Sequence, residues 1–155
     1  MFHHKASLSA LVFMSAAGLS FTAGAEEIFA GPVPAAVTRI LDGDTLEVQA
    51  HLWPGLELTQ RVRVRGIDAP ELHSTCADER AWAAEARNRL AALVGDTVTL
   101  ARISRDKYGE RVDADVINAA GTNVSTAMIS AGMVRAYDGG TRGDWCPVAS
   151  VGAGH

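Results

Sequence analysis

A chain of 155 residues and 16.3 kDa has room for one compact core and makes two independent ones improbable. Hydrophobic residues at 48% and charged residues at 21% argue against disorder along most of the length. A net charge of −4 excludes bulk attraction of nucleic acid, so an anionic partner has to be held by a local cluster. Only Lys5 and Lys107 among the fourteen cations are lysine. Such a bias favours forked contacts to carboxylate or phosphate, although GC-rich coding would produce it too.

In chain order, the first expected element is a leader. A basic start to Lys5 precedes the uncharged apolar run Leu8 to Leu19, and Ala23-Gly24-Ala25 has the small-x-small pattern of a signal-peptidase site. The run is too short for the ~30 Å bilayer core, so residues 1–25 read as a cleaved signal peptide. Residues 26–155 then form a single domain of an exported protein, periplasmic or secreted, with no membrane contact after cleavage. In an oxidising compartment Cys76 and Cys146 read first as a disulfide. Closing that loop would contribute ~4 kcal/mol in the chain-entropy model. A weaker alternative makes His73, Cys76 and Cys146 zinc ligands lacking a fourth.

The mature chain opens on an extended lead-in with Gly31, Pro32 and Pro34. Ala36 to Ile40 reads as a strand, Asp42-Gly43 as a hairpin turn, and Leu46 to Ala50 as the return strand. After Pro54-Gly55, Leu58 to Ile67 alternates, with Val62 and Val64 on one face and Arg61, Arg63 and Arg65 on the other. Thr75-x-x-Asp78 resembles a capping box. It opens a helix to Gly95 with Trp82, Ala86, Leu90 and Leu93 inward and Asp78, Glu79, Glu85, Arg87 and Arg89 outward. Thr97 to Ile103 and Val112 to Ile117 read as strands around a turn at Asp106-Lys107-Tyr108-Gly109. Asn123 caps a short helix that Gly132 ends, Met133 to Tyr137 is a last strand, and 138–155 is an irregular tail. Three strands, a helix, two strands and a short helix fit a mainly β domain: a five-stranded antiparallel barrel with two to three outer helices.

Two acid clusters carry the chemistry. Asp42 and Asp44 sit at a hairpin tip, and Asp68 and Glu71 follow the arginine-bearing strand. Strand ends meeting at one barrel rim could offer such carboxylates to a hard cation such as calcium. Carboxylates, a divalent cation and arginines together suit phosphoryl chemistry.

The order and spacing of Ile40-Leu41-Asp42-Gly43-Asp44-Thr45, Arg63-Val64-Arg65-Gly66-Ile67-Asp68-Ala69-Pro70-Glu71 and Asp106-Lys107-Tyr108-Gly109 resemble the staphylococcal nuclease (thermonuclease) family over about 36–137. The resemblance implies an OB-fold and calcium-dependent hydrolysis of DNA and RNA phosphodiesters, leaving 3′-phosphate ends. It implies Asp44, Asp68 and the Ala69 carbonyl as calcium ligands, and Glu71 as the residue activating water. Arg63 then contacts the scissile phosphate, and Lys107 and Tyr108 bind the terminal phosphate. Asp42 matches an acid near the metal that is not a ligand, and His73 has no counterpart.

Two departures stand out. Where the family pattern places a second arginine after Tyr-Gly, this chain has Glu110, with Arg111 next. A one-residue bulge after Gly109 would turn Arg111 inward and assign it that role. Tyr137 is one position off the family's stacking aromatic, and the expected Cys76–Cys146 bridge takes the place of the family's long C-terminal helix in fastening the tail. DNA and RNA are the expected partners of a monomer with no stable protein partner. The rival readings are a non-catalytic OB module binding single-stranded nucleic acid or a protein, and a disulfide-stabilised interaction domain.

Overall fold

The computed structural model describes residues 26–146; the expected leader with its cleavage point, and residues 147–155, lie outside the described residues. The strands are β1 (Ile28–Phe29), β2 (Val33–Ile40), β3 (Thr45–Trp53), β4 (Leu56–Val64) and β5 (Ile67–Asp68), then β6 (Thr97–Arg105), β7 (Val112–Asn118) and β8 (Arg135–Ala136). Helix α1 (Ala77–Val94) lies between β5 and β6, and α2 (Val124–Ser130) between β7 and β8.

Strands β6, β2, β3, β4 and β7 pair in that order, and β6 also pairs with β7, which closes a five-stranded barrel. One pairing departs from the expected antiparallel barrel. Strand β4 runs parallel to β7, with Val62 opposite Val112 and Val64 opposite Ala114. No hairpin joins these two strands; the chain crosses between them through α1 and β6, a connection long enough for a parallel pair. The interior holds the alternate residues of the strands, among them Leu46, Val48, Val62, Val64, Leu100 and Val116. Ala86, Leu90 and Val94 of α1, with Val124 and Met128 of α2, belong to the same cluster. Leu90 is fully buried, and its truncation to Ala at such a site typically costs about 2–5 kcal/mol.

The helix ends differ in how well local pattern set them. At α2 the Asn123 side chain accepts from the Thr126 amide at 3.1 Å, as its type dictates. At α1 the expected capping box is not formed: the N-cap is Cys76, and it makes no side-chain cap bond. The buried stripe of α1 is Glu79, Ala83, Ala86, Leu90 and Val94, so Glu79 faces inward and Trp82 is 44% exposed, each the reverse of expectation.

Three segments meet at Gly43. A Cβ there would lie 2.8 Å from the Ala86 Cβ and 2.9 Å from the Ala69 Cβ. The glycine at this hairpin tip is therefore demanded by space, since its φ is not positive. The contact seats the β2–β3 turn against α1 and against the segment after β5. On the other side, β8 pairs with β5, Asp68 opposite Arg135, and leads residues 138–146 across the same rim.

Candidate active site

Asp44 leaves the tip of the β2–β3 turn and is 7% exposed. Its Oδ1 accepts from the Thr45 hydroxyl at 2.8 Å, and its Oδ2 accepts from the Ala69 amide at 3.3 Å. That second bond joins the first acid cluster to the second. Arg63, on the polar face of β4, reaches Asp44 Oδ2 at 3.5 Å and donates to the Ile67 carbonyl at 2.9 Å. Its guanidinium carbon lies 5.3 Å from the centre of the Tyr137 ring. Asp42 is half-buried on the same turn. Burial pushes its carboxyl up to about 6; the Gly43 amide pulls it down, while Asp44 and Glu71 raise it.

Asp68 is 2% exposed, with both oxygens occupied. Oδ1 accepts from Arg142 Nε at 2.5 Å and Oδ2 from Trp145 Nε1 at 3.0 Å. The same guanidinium donates to the Ala69 carbonyl at 3.0 Å and to Glu71 Oε1. Burial works against the Arg142 charge, but the Glu71 hydrogen bond and the Glu71 and Asp68 charges hold it well above the ordinary arginine range. The Glu71 amide donates to Glu79 Oε1 at 2.9 Å, and Ser74 Oγ donates to Glu79 Oε2 at 2.6 Å. An acid in the first turn of α1 thus fixes the loop that carries Glu71, which accounts for its burial.

A cavity of about 630 Å³ gathers most of these groups. Asp44, Arg63, Ala69 and Glu71 line it together with Lys107, Tyr108 and Arg111. Asp68 lies beneath, covered by Arg142 and Trp145. Arg111 pairs with the buried Asp106 carboxylate and sits 5.6 Å from the Tyr108 ring centre. The expected bulge after Gly109 is not formed. Residues 106–111 make a closed turn, in which the Gly109 amide donates to the Asp106 carbonyl and the Asp106 amide to the Arg111 carbonyl. The register shift between β6 and β7 lies at Ala101–Ser104 instead. Arg111 faces the cavity, and the exposed Glu110 is not among its lining residues.

Among the described residues, no three His, Cys, Asp or Glu side chains form a ready metal cage. His73 is exposed on its loop, and zinc ligation with Cys76 and Cys146 has no geometric support. Arg142 occupies the space between Asp68, the Ala69 carbonyl and Glu71. The expected donors, Asp44, Asp68 and the Ala69 carbonyl, are all oxygens, two of them carboxylates, and the Ala69 amide ties Asp44 to the segment of Asp68, a set suited to a hard cation. The bridge expected between Cys76 and Cys146 is not formed; both are free thiols. They are neighbours, however: a hydrogen bond with Cys76, burial and the Glu79 carboxylate push the Cys146 thiol up to about 12.

Sequence reasoning missed Arg142, Trp145 and Glu79. The first two lie in a glycine-rich tail with no periodicity, and the third is an acid on a helix, ordinarily a solvent-facing residue.

A closed barrel with acids and arginines gathered at one rim defines an OB-fold domain of the nuclease type. The chain belongs to the staphylococcal nuclease homologue family, whose description matches residues 61–143. An uncharacterised endonuclease of Escherichia coli is 36% identical over 116 residues, 72% of this chain and 69% of the relative. A micrococcal nuclease of Shigella flexneri is 36% identical over 109 residues, covering 65% of this chain and 56% of that protein.

Proposed function

We propose that the chain is an exported, calcium-dependent nuclease that hydrolyses DNA and RNA phosphodiesters and leaves 3′-phosphate ends. The observation that carries this reading is the shared cavity of Asp44, Arg63, Glu71 and Arg111, brought together from four separate segments. Asp44, Asp68 and the Ala69 carbonyl would hold the cation. Bound there, it would supply positive charge to orient the phosphate and offset charge building on it.

The remaining roles fall to side chains. Arg63 and Arg111 bind the phosphate oxygens by forked, charge-assisted hydrogen bonds that strengthen as negative charge grows in the transition state. Lys107 and Tyr108, on the adjoining turn, hold a terminal phosphate. Glu71 takes one proton from a water molecule as its oxygen bonds to phosphorus. The bond from phosphorus to the 5′-oxygen breaks, that oxygen is protonated from solvent, and the phosphate stays on the 3′ side. Export rests on the basic-apolar-small pattern of residues 1–25; a mature N-terminus at Glu26 by mass spectrometry is the expected result.

Digestion of denatured DNA with calcium and then with a chelator tests the reading. Cleavage with calcium, loss with chelator, and products that a polymerase extends only after phosphatase treatment are expected. Binding without cleavage would replace the enzyme by a non-catalytic OB module.

A further inference from the structure

The three acceptors that Arg142 binds are the Asp68 carboxylate, the Ala69 carbonyl and the Glu71 carboxylate. Two of them belong to the proposed cation ligands, and the third is the proposed base. A guanidinium presents its donors in a rigid planar fork, so one side chain can satisfy three oxygens at once. Trp145 completes the cover by donating to the second Asp68 oxygen at 3.0 Å. A divalent cation on Asp68 and the Ala69 carbonyl would need the same lone pairs and would repel the guanidinium at contact distance.

We propose that Arg142 is a positioning residue acting as a resident counter-cation: it holds Asp68, Ala69 and Glu71 in place until a divalent cation displaces it. This rests on the cation site of the proposed function. The segment that carries Arg142 is glycine-rich and tied at both ends, so release falls to the side chain. Gly139, Gly140 and Gly143 interrupt it, and Gly139 has φ +96°. Its root is firm: the Tyr137 amide donates to the Gly66 carbonyl at 2.9 Å, and the Tyr137 hydroxyl to the Gly140 carbonyl at 2.7 Å. Arg135 donates to the Asp144 carbonyl at 2.9 Å and stacks 3.9 Å from the Trp145 ring centre. At the far end the Cys146 thiol donates to Glu79 at 3.5 Å. Arg142 itself is 43% exposed in its side chain, so it can leave the carboxylates without opening the core. Release also breaks the ion pair on the Glu71 carboxylate, which couples cation binding to the availability of the base.

Calcium titration by calorimetry of the mature chain tests this in four proteins: wild type, Arg142→Ala, Arg142→Lys and Asp68→Ala. Removing a competitor tightens binding, so Arg142→Ala should bind calcium roughly tenfold or more tighter, within the usual range of coupling between sites. Arg142→Lys, a charge without the fork, should fall between Arg142→Ala and wild type, and Asp68→Ala should bind poorly. A merely structural arginine would leave affinity unchanged or lower it when removed. Equal or weaker binding by Arg142→Ala, with wild type binding normally, overturns the proposal. No binding by either protein overturns the cation site on which it rests.

Discussion

Glu71 is held twice, by its amide on Glu79 and by its carboxylate on Arg142. The first bond uses the backbone, so it survives substitution of the side chain. Glu71→Gln should therefore keep the fold and bind calcium at least as tightly as wild type, since it loosens the hold on Arg142, while lowering turnover by roughly 10²–10⁴, the range of general acid–base catalysis. A near-normal rate in steady-state assays would reduce Glu71 to a loop acid. Arg111 and Glu110 make the second test at this scale, since only Arg111 lines the cavity. Arg111→Ala should lower turnover by roughly 10²–10³, as loss of one charge-stabilising donor does; Glu110→Ala should change it little. The opposite ranking would return the role to position 110. Arg111 reaches the cavity without the bulge expected after Gly109, but its turn, Asp106 to Gly109, was legible because those residues are local and typed. Arg142 was not, because its partners Asp68 and Glu71 are 74 and 71 positions away and no pattern links them.

At the scale of elements, the β2–β3 turn and α1 depend on one absent side chain. Gly43→Ala would drive a methyl into two other methyls that have no rotamer to yield. Overpacking of this kind costs about 1–3 kcal/mol, and here it also moves Asp44 relative to Ala69. Denaturant unfolding should show the loss of stability, and calcium affinity should fall with it; a variant as stable as wild type would contradict the seam. Asp-Gly pointed to a turn from sequence, but the reason for the glycine lay in contacts from Ala69 and Ala86, which no local reading contains. Helix α1 was legible in extent and misread in face. Counting put Trp82 inward and Glu79 outward, whereas the buried acid is stabilised by groups from the preceding loop. Burial raises the Glu79 carboxyl, but hydrogen bonds from Ser74, the Glu71 amide and Cys146 outweigh it and hold it below the ordinary range. Such a group stabilises the fold above its unfolded pKa and loses that contribution as pH falls through the folded value. Unfolding curves of wild type should weaken on acidification below about pH 4.5, and Glu79→Gln should be less stable at neutral pH with a flatter acid limb. Parallel acid limbs would exclude this role.

Over the whole molecule, the barrel gathers six cations and seven acids of an acidic chain around one cavity. Net charge is −4, yet Arg63, Arg65, Arg105, Lys107, Arg111 and Arg142 all line one cavity. Long-range attraction of nucleic acid is weak, so binding relies on these local contacts, and KM for DNA should rise with salt; a KM independent of salt would argue against phosphate contacts. The five barrel strands and their order in the chain were legible from alternation and turns; the two-residue strands β1 and β5 were not. The parallel pairing of β4 with β7 was not, because closure joins strands that no short loop connects. The pairing of Cys76 with Cys146 was expected across 70 positions, and the structure has the two as adjacent free thiols.

The central claim is that Asp44 and Asp68 hold a cation on which phosphodiester hydrolysis depends. The most direct measurement is the calcium dependence of denatured-DNA cleavage by wild type and Asp44→Ala, with calcium affinity determined on the same samples. Loss of a carboxylate removes both a ligand and a negative charge, so binding and cleavage should fall together in Asp44→Ala and vanish with chelator in wild type. Wild-type calcium affinity and wild-type cleavage in Asp44→Ala would contradict it.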